Sequence, residues 1–296
     1  LDRYIAEALG LSRAEVSRLI ARGGVTIDGR VARKGEEIAG GETITIDAPG
    51  EDARRATLAD ASVPLAILCE DAHILAVDKP PGIACLPNEA RERGTIANAL
   101  VAHAPEQALI GRPREAGLVH RLDTGTSGVL LAARTREAYA SLRARWSTGE
   151  VVKTYFAIVE GVVVGSGVID TPIAHHAKSA RRMVLASSPA ARHAQPARTD
   201  YEPLRTGNGR TLLRVQIREG RRHQIRVHLA SIGHPVAGDP IYGRERAPRV
   251  AADASPRLAL HAHRLALAHP ASGEAIEITS ELPADLAALV DAAPSA

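Results

Sequence analysis

The segment with the most chemistry in it is His120-Arg121-Leu122-Asp123-Thr124-Gly125-Thr126-Ser127-Gly128, followed by the apolar run Val129-Leu130-Leu131. It reads as a turn rich in Gly, Thr and Ser, carrying an arginine and a carboxylate, that leads into a buried strand. A serine nucleophile elbow needs glycine two positions after the serine, but Val129 stands there. A phosphate-cradling loop needs a lysine after its last glycine, and none follows Gly128. Two readings of Asp123 stand on spacing alone. It is either a reacting carboxylate or a structural residue whose side chain closes an Asx-turn.

A second group lies about a hundred residues on, in Gly220-Arg221-Arg222-His223-Gln224-Ile225-Arg226. A strand through Leu212, Leu213, Val215 and Ile217 ends at Gly220. Ile225, Leu229 and Ile232 then recur at helical spacing, which predicts a helix over 222–232. Arg222 and Arg226, four apart, would share one side of it and face an anion, either a phosphate or the Asp123 carboxylate. The paired histidines His223/His228 and His261/His263 lack the spacing of a zinc helix and have no Cys or Glu partner, so no metal site is expected. Cys69 and Cys85 do not form a Cys-x-x-Cys pair, which speaks against a disulfide framework.

Composition narrows the partner. The chain has 296 residues with a net charge of +3, and its basic side is almost all arginine: Lys34, Lys79, Lys153 and Lys178 are the only lysines among 37 basic residues. Between Asp170 and Arg257 there are 16 Lys and Arg against 7 Asp and Glu, a local excess of nine. Such asymmetry is the footprint of a surface that meets nucleic acid. No apolar run approaches the length of a membrane helix and no basic-then-apolar leader opens the chain, so a cytoplasmic protein without membrane contact is expected. The chain begins at Leu1 without an initiator Met, and a short preceding piece is expected.

These residues need elements to hold them. Residues 1–46 read as a small module: Leu1, Ile5, Ala8 and Leu9 mark one helix, and Ser12 to Glu15 form a capping box for a second with Val16, Leu19 and Ile20 inside. Asp28-Gly29 between Val25-Thr26-Ile27 and Val31 predicts a hairpin, and Glu42–Ile46 a further strand. Residues 47–62 are polar and rich in Ala, Pro and Gly, the composition of a linker. From 63 to 296, apolar runs at Ile74–Val77, Val129–Ala132, Val151–Val159, Leu212–Ile217 and Leu258–Ala268 predict strands. Helical stretches fall near 95–103, 136–146, 222–232 and 283–292. Strands outnumber helices without alternating with them, which predicts an α+β fold with a mixed or antiparallel sheet. The stretch 186–198 reads as a loop.

"HRLDTGTSG" resembles the His-Arg-Leu-Asp-x-x-Thr-Ser-Gly motif of RluA-type RNA pseudouridine synthases. Three further segments are similar to that family in the family's order: "ILAVDKPPGIACLP" (74–87), "VKTYFAIVEG" (152–161) and "GRRHQIRVHLASIGHPVAGDPIYG" (220–243). "LALHAHRLALAHPASGE" (258–274) matches its closing strands. Leu86 stands where the family often has histidine, so no chemistry is assigned to that loop. The N-terminal "LSRAEVSRLIARGGVTIDGRVARKGEEIAGGETITI" resembles a small RNA-binding module first known from a ribosomal protein.

The resemblance implies a pseudouridine synthase catalytic domain preceded by an α+β RNA-binding module. It makes Asp123 the catalytic carboxylate, places Tyr155 in the pocket and sets Arg226 beside Asp123. Arg121 would fill the gap left by a flipped nucleotide, with His120 and Arg222 as further RNA contacts. In the N-terminal module Arg13, Arg18, Arg22, Arg33 and Lys34 would meet phosphate, although the module is not basic overall. The implied reaction isomerises uridines of structured RNA, ribosomal RNA before transfer RNA, without a cofactor and as a monomer. Two alternatives stand beside it. One is an RNA-binding assembly factor that kept the fold but lost the chemistry, the other a hydrolase or glycosidase acting on a small molecule.

Overall fold

A computed structural model describes residues 1–9, 13–47, 57–89, 91–243, 255 and 257–291. The chain divides into two units, Leu1–Arg54 and Arg55–Ala296.

In the first unit, α1 (Asp2–Leu9) and α2 (Arg13–Ala21) accompany a three-stranded antiparallel sheet of β1 (Val25–Ile27), β2 (Arg30–Val31) and β3 (Ile44–Ile46) in the order β2-β1-β3. Ile27 pairs with Arg30. The two residues between them, Asp28 and Gly29, both have positive φ, 49° and 82°. A two-residue hairpin with that backbone matches the twist of its strands, which is why Asp-Gly signals it. Ile5, Val16, Val25 and Ile27 form the core of the unit. The β3 strand begins at Ile44 rather than Glu42. Ser12 and the side chain of Glu15, expected to form a capping box, lie outside the described residues, as do 48–56 of the expected linker.

Residues 57–62, also expected in the linker, instead belong to the second unit. Asn98 donates to Leu58 O at 2.7 Å, Asp60 N donates to Asn98 O at 3.0 Å, and Arg93 donates to Ala59 O at 2.6 Å. Asn98 is buried in helix α3 (Ile96–His103), whose N-cap Thr95 forms a capping box with it.

The second unit is built on a nine-stranded mixed sheet. Its strands are β4 (Ala66–Glu70), β5 (Ile74–Lys79), β6 (Ser127–Ala133), β7 (Val152–Glu160), β8 (Gly167–Asp170), β12 (Arg198–Gly207), β13 (Arg210–Ile217), β14 (Leu260–Ala268) and β15 (Ala275–Thr279). The order is β4-β5-β6-β14-β7-β13-β12-β8, with β15 paired to β14. Only the β6–β14 contact is parallel among these pairs. The last long strand of the chain is thus inserted between β6 and β7. Every residue of β6 is buried, as its unbroken apolar run demands of a central strand.

Two features depart from the sequence reading. The stretch 186–198, expected as a loop, contains β11 (Ala191–Gln195), which with β9 (Ile173–His176) and β10 (Ser179–Leu185) makes a separate small sheet. Its alternation is weak because four of the five β11 residues are exposed. The helix expected near 283–292 is a single turn, α6 (Ala284–Ala287).

Helix α4 (Arg136–Thr148) is capped by Thr135 and ended by Gly149 in the left-handed conformation. Helix α5 (Gln224–Ser231) starts later than its apolar spacing suggested, because His223 adopts φ 53° and breaks the helix before it. Residues 224–229 of α5 are all buried, whereas Ile232, expected on the core face, is 39% exposed.

Candidate active site

The turn carrying Asp123 enters β6 and is held by its backbone. Thr126 N donates to the main-chain oxygen of Asp123 at 3.0 Å, and Gly82 N donates to Thr124 O at 2.8 Å. Leu122 N lies 3.3 Å from Cys85 Sγ. Lys79, fully buried at the end of β5, donates from Nζ to Pro80 O, Ile83 O and Thr124 O at 2.7, 2.8 and 3.1 Å. Gly128 closes the motif at φ 108°, where a Cβ would lie 2.2 Å from Ala262 O on β14. The glycine is what lets the two central strands approach at this point.

Because these contacts are main-chain, the Asp123 side chain is not consumed in an Asx-turn. Its Oδ2 accepts a 2.7 Å hydrogen bond from Arg226 Nη1. The carboxylate keeps 24% of its side-chain surface exposed, while Arg226 keeps 6%. Arg226 is the third residue of α5. Its other edge faces Asp239, with Nε donating to Oδ2 at 2.7 Å and Nη2 to Oδ1 at 2.9 Å. Asp239 is fully buried, and its Oδ1 also accepts the N–H groups of Ile241 and Tyr242 at 2.8 and 3.1 Å. The guanidinium lies over the Tyr242 ring, 5.3 Å from its centroid. Burial works against the charge on both partners, but the contact outweighs it: Arg226 is held above the usual arginine range and Asp239 below the usual carboxylate range.

Tyr155 sits in β7 between Ala262 and Val215 on its neighbours, and lines the same cleft as Asp123 and Arg226. Burial first, then the Asp123 carboxylate, push its hydroxyl well above the ordinary tyrosine range, so it stays a neutral phenol. His223 Nε2 lies 3.8 Å from Asp123 Oδ2, and its Nδ1 is 3.0 Å from the Tyr242 hydroxyl. Burial pushes this imidazole down to about 4, against the pull of Asp123, so it too is uncharged at neutral pH. The cleft has a volume of about 500 Å³. Arg112, Arg143, Trp146, Lys153 and Arg221 also line it. Burial lowers Lys79 and Lys153 to about 8 each.

Asp123, Tyr155 and Arg226, expected to act together, thus meet at one cleft. Arg121 lines it too, exposed and without a hydrogen-bond or ion-pair partner among the described residues. His120 also lines it, but its ring is committed: Nε2 accepts from Leu131 N at 3.0 Å and the face stacks on Trp146 at 4.6 Å. Burial drops its pKa to about 3. Arg222, expected to share a helix side with Arg226, precedes α5 and points to solvent outside the cleft lining. Arg221 takes the cleft position instead. Arg13, Arg18, Arg22, Arg33 and Lys34 are all exposed on the N-terminal unit, and Arg22 donates to Asp47 O at 2.9 Å. Among the described residues no group of three or more His, Cys, Asp or Glu could hold a metal, and no helix is long and apolar enough to cross a membrane.

The sequence reading missed Asp239, Tyr242, His223 as a cleft residue, and Trp146. Gly-Asp-Pro at 238–240 is a turn signal, but nothing in it announces that the carboxylate turns inward.

Residues 73–231 match the profile of the RNA pseudouridylate synthase family, and residues 1–44 match the S4 domain. The chain is 40% identical to the ribosomal large subunit pseudouridine synthase D of Nitrosomonas europaea, over 99% of this chain and 83% of that protein. It is 38% identical to the protein of the same name from Pseudomonas aeruginosa, over 93% and 85%. Among solved structures, human RNA pseudouridylate synthase domain containing 1 superposes with a TM-score of 0.59 at 26% identity, covering 79% of this chain and 86% of that one. The chain belongs to the RNA pseudouridylate synthase family.

Proposed function

We propose that this protein converts uridines of large-subunit ribosomal RNA to pseudouridine, with Asp123 as the reacting carboxylate. The observation that carries the reading is the 2.7 Å contact of Arg226 Nη1 with Asp123 Oδ2 inside a cleft shared with Tyr155. The ribosomal target rests on the names of the relatives, on the N-terminal S4 module and on the arginine excess.

The reaction breaks the bond from ribose C1′ to uracil N1, turns the base and rejoins it through C5; the C5 proton leaves and N1 takes up a proton, so substrate and product have the same atoms. No electrons are gained or lost overall. Asp123 either bonds to C1′ or takes a neighbouring ribose proton, and both routes need an ionised carboxylate at the sugar. The Arg226 guanidinium, at contact distance, orients that carboxylate within the cleft. A uridine inside a stack cannot reach Asp123, so it must be extruded at a cost of about a few kcal/mol. Arg121, exposed in the cleft lining and without a partner among the described residues, is suited to fill the vacated space by stacking and by pairing with phosphate. Tyr155, a neutral phenol that still carries its own proton, packs against the uracil. Arg13, Arg18, Arg22 and Lys34 would anchor flanking phosphates, and the protein would work as a cytoplasmic monomer.

The test is tritium release from RNA labelled at uridine C5. Asp123→Asn and Asp123→Ala are expected to reduce it to background while RNA binding persists. Turnover comparable to the parent would remove Asp123 from the chemistry.

A further inference from the structure

Arginine presents a carboxylate with two kinds of contact: a fork of two parallel N–H bonds, or a single N–H end-on. Asp123 receives the single contact, from Nη1 to Oδ2. The fork of Nε and Nη2 is given to Asp239, whose side chain is fully buried and which is not among the residues lining the Asp123 cleft. Asp239 is fixed independently of Arg226, because its Oδ1 also accepts two backbone N–H groups of the turn 239–242. That turn leaves no slack. A Cβ on Gly238 would meet Arg257 O at 2.1 Å, and one on Gly243 would meet Asp239 O at 2.7 Å. The Tyr242 ring against the guanidinium closes a further side.

The consequence lies at Asp123. Its Oδ1 has no hydrogen-bond partner among the described residues, while Oδ2 is anchored. One guanidinium between two carboxylates also leaves the three groups with a net charge of −1, so Asp123 is oriented without being fully neutralised. Were Asp239 uncharged, Arg226 could swing and offer its fork to Asp123, covering both oxygens.

We infer that Asp239 is a positioning residue, which holds Arg226 end-on to Asp123 and thereby keeps one oxygen of Asp123 free to meet the ribose. The inference rests on Asp123 being the reacting carboxylate. Other charged or titratable groups near Asp123 do not substitute for this hold. His223 is neutral, Tyr155 and Tyr242 are phenols held above their ordinary range, Cys85 is a buried thiol, and Lys79 is bound to three carbonyls.

The experiment compares Asp239→Asn, Arg226→Gln and the double variant with the parent, by kcat and KM on C5-tritiated RNA. Asp239→Asn is expected to lower kcat by about 10²-fold, the scale of a reacting group displaced by an ångström, with KM within about twofold. In the Arg226→Gln background the same substitution is expected to change kcat by less than about threefold, because there is no guanidinium left to hold. A purely structural Asp239 would lower stability in both backgrounds alike. Equal kcat losses in the two backgrounds overturn the inference. Should the single Asn variant fail to fold, Arg226→Gln against the double variant still decides it, since a further tenfold fall in kcat shows Asp239 acting other than through Arg226. If Asp123→Asn is inactive and Asp239→Asn matches the parent, this inference alone falls. If Asp123→Asn is as active as the parent, the functional reading falls and takes this one with it.

Discussion

Lys79 Nζ donates a 3.1 Å hydrogen bond to the carbonyl of Thr124, the residue that follows Asp123. The same nitrogen holds Pro80 O and Ile83 O, so one buried ammonium joins the Lys-Pro turn after β5 to the turn that bears the carboxylate. Its charge is what makes this possible, because only the protonated ammonium carries three N–H donors on one atom.

Replacing Lys79 by Met removes those donors and leaves buried carbonyls short of partners. The expected loss is about 3 kcal/mol in urea unfolding at neutral pH, together with lower kcat because the Asp123 turn is loosened. A loss under about 1 kcal/mol would show that the three contacts are not formed in solution.

Arg226→Lys keeps the positive charge and loses the planar fork. A single ammonium cannot direct three N–H bonds at two carboxylates on opposite sides. Turnover is expected to fall about 10²-fold or more, with RNA affinity little changed. A variant as active as the parent would mean that charge alone suffices.

His120 links pH to stability. Its folded value of about 3 lies below the ordinary 6.5, burial being the main cause. Between those values the unfolded chain binds a proton that the folded one refuses, so stability is complete above about pH 6.5 and declines as pH falls toward 3. At pH 5 the cost is about 2 kcal/mol. In His120→Gln, where an amide oxygen can still accept from Leu131 N, the drop in unfolding free energy between pH 7 and pH 5 should shrink by that amount. An identical drop would exclude His120 as its source.

Gly128→Ala should be among the most disruptive single-methyl changes in the chain. The new Cβ would lie 2.2 Å from Ala262 O and 2.7 Å from Ala262 N, in a backbone conformation that L-residues avoid. A loss of about 3 kcal/mol or more is expected from thermal or urea unfolding.

Arg121→Ala separates flipping from chemistry. Turnover on a uridine held in a hairpin is expected to fall about tenfold further than on the same uridine in an unstructured strand, where extrusion costs least. Equal losses on both substrates would place Arg121 in another role.

Much of this was legible in the residues because local rules act over short spans. Asp28-Gly29 dictated a hairpin by its two positive φ angles, and the apolar run after Gly128 dictated a central strand. The pairing of Asp123 with Arg226 followed from a long motif match, since spacing could not distinguish a reacting aspartate from a turn-closing one. What stayed hidden depends on side-chain direction and distant packing. Arg221 and Arg222 are indistinguishable in sequence, and the left-handed backbone at His223 decides which one lines the cleft. Asp239 reads as an ordinary turn residue because its burial is set by α5, on the other side of it. The strand at Ala191–Gln195 escaped because its side chains are mostly exposed and carry no alternation.

Strand β14 comes late in the chain yet lies between the strand that follows Asp123 and the one that carries Tyr155. In the chain, those two strands come a hundred residues or more before the wedge that sets their spacing. A chain ending before Leu260 would therefore carry Asp123, Tyr155 and Arg226 without the strand that sets β6 and β7 at their distance.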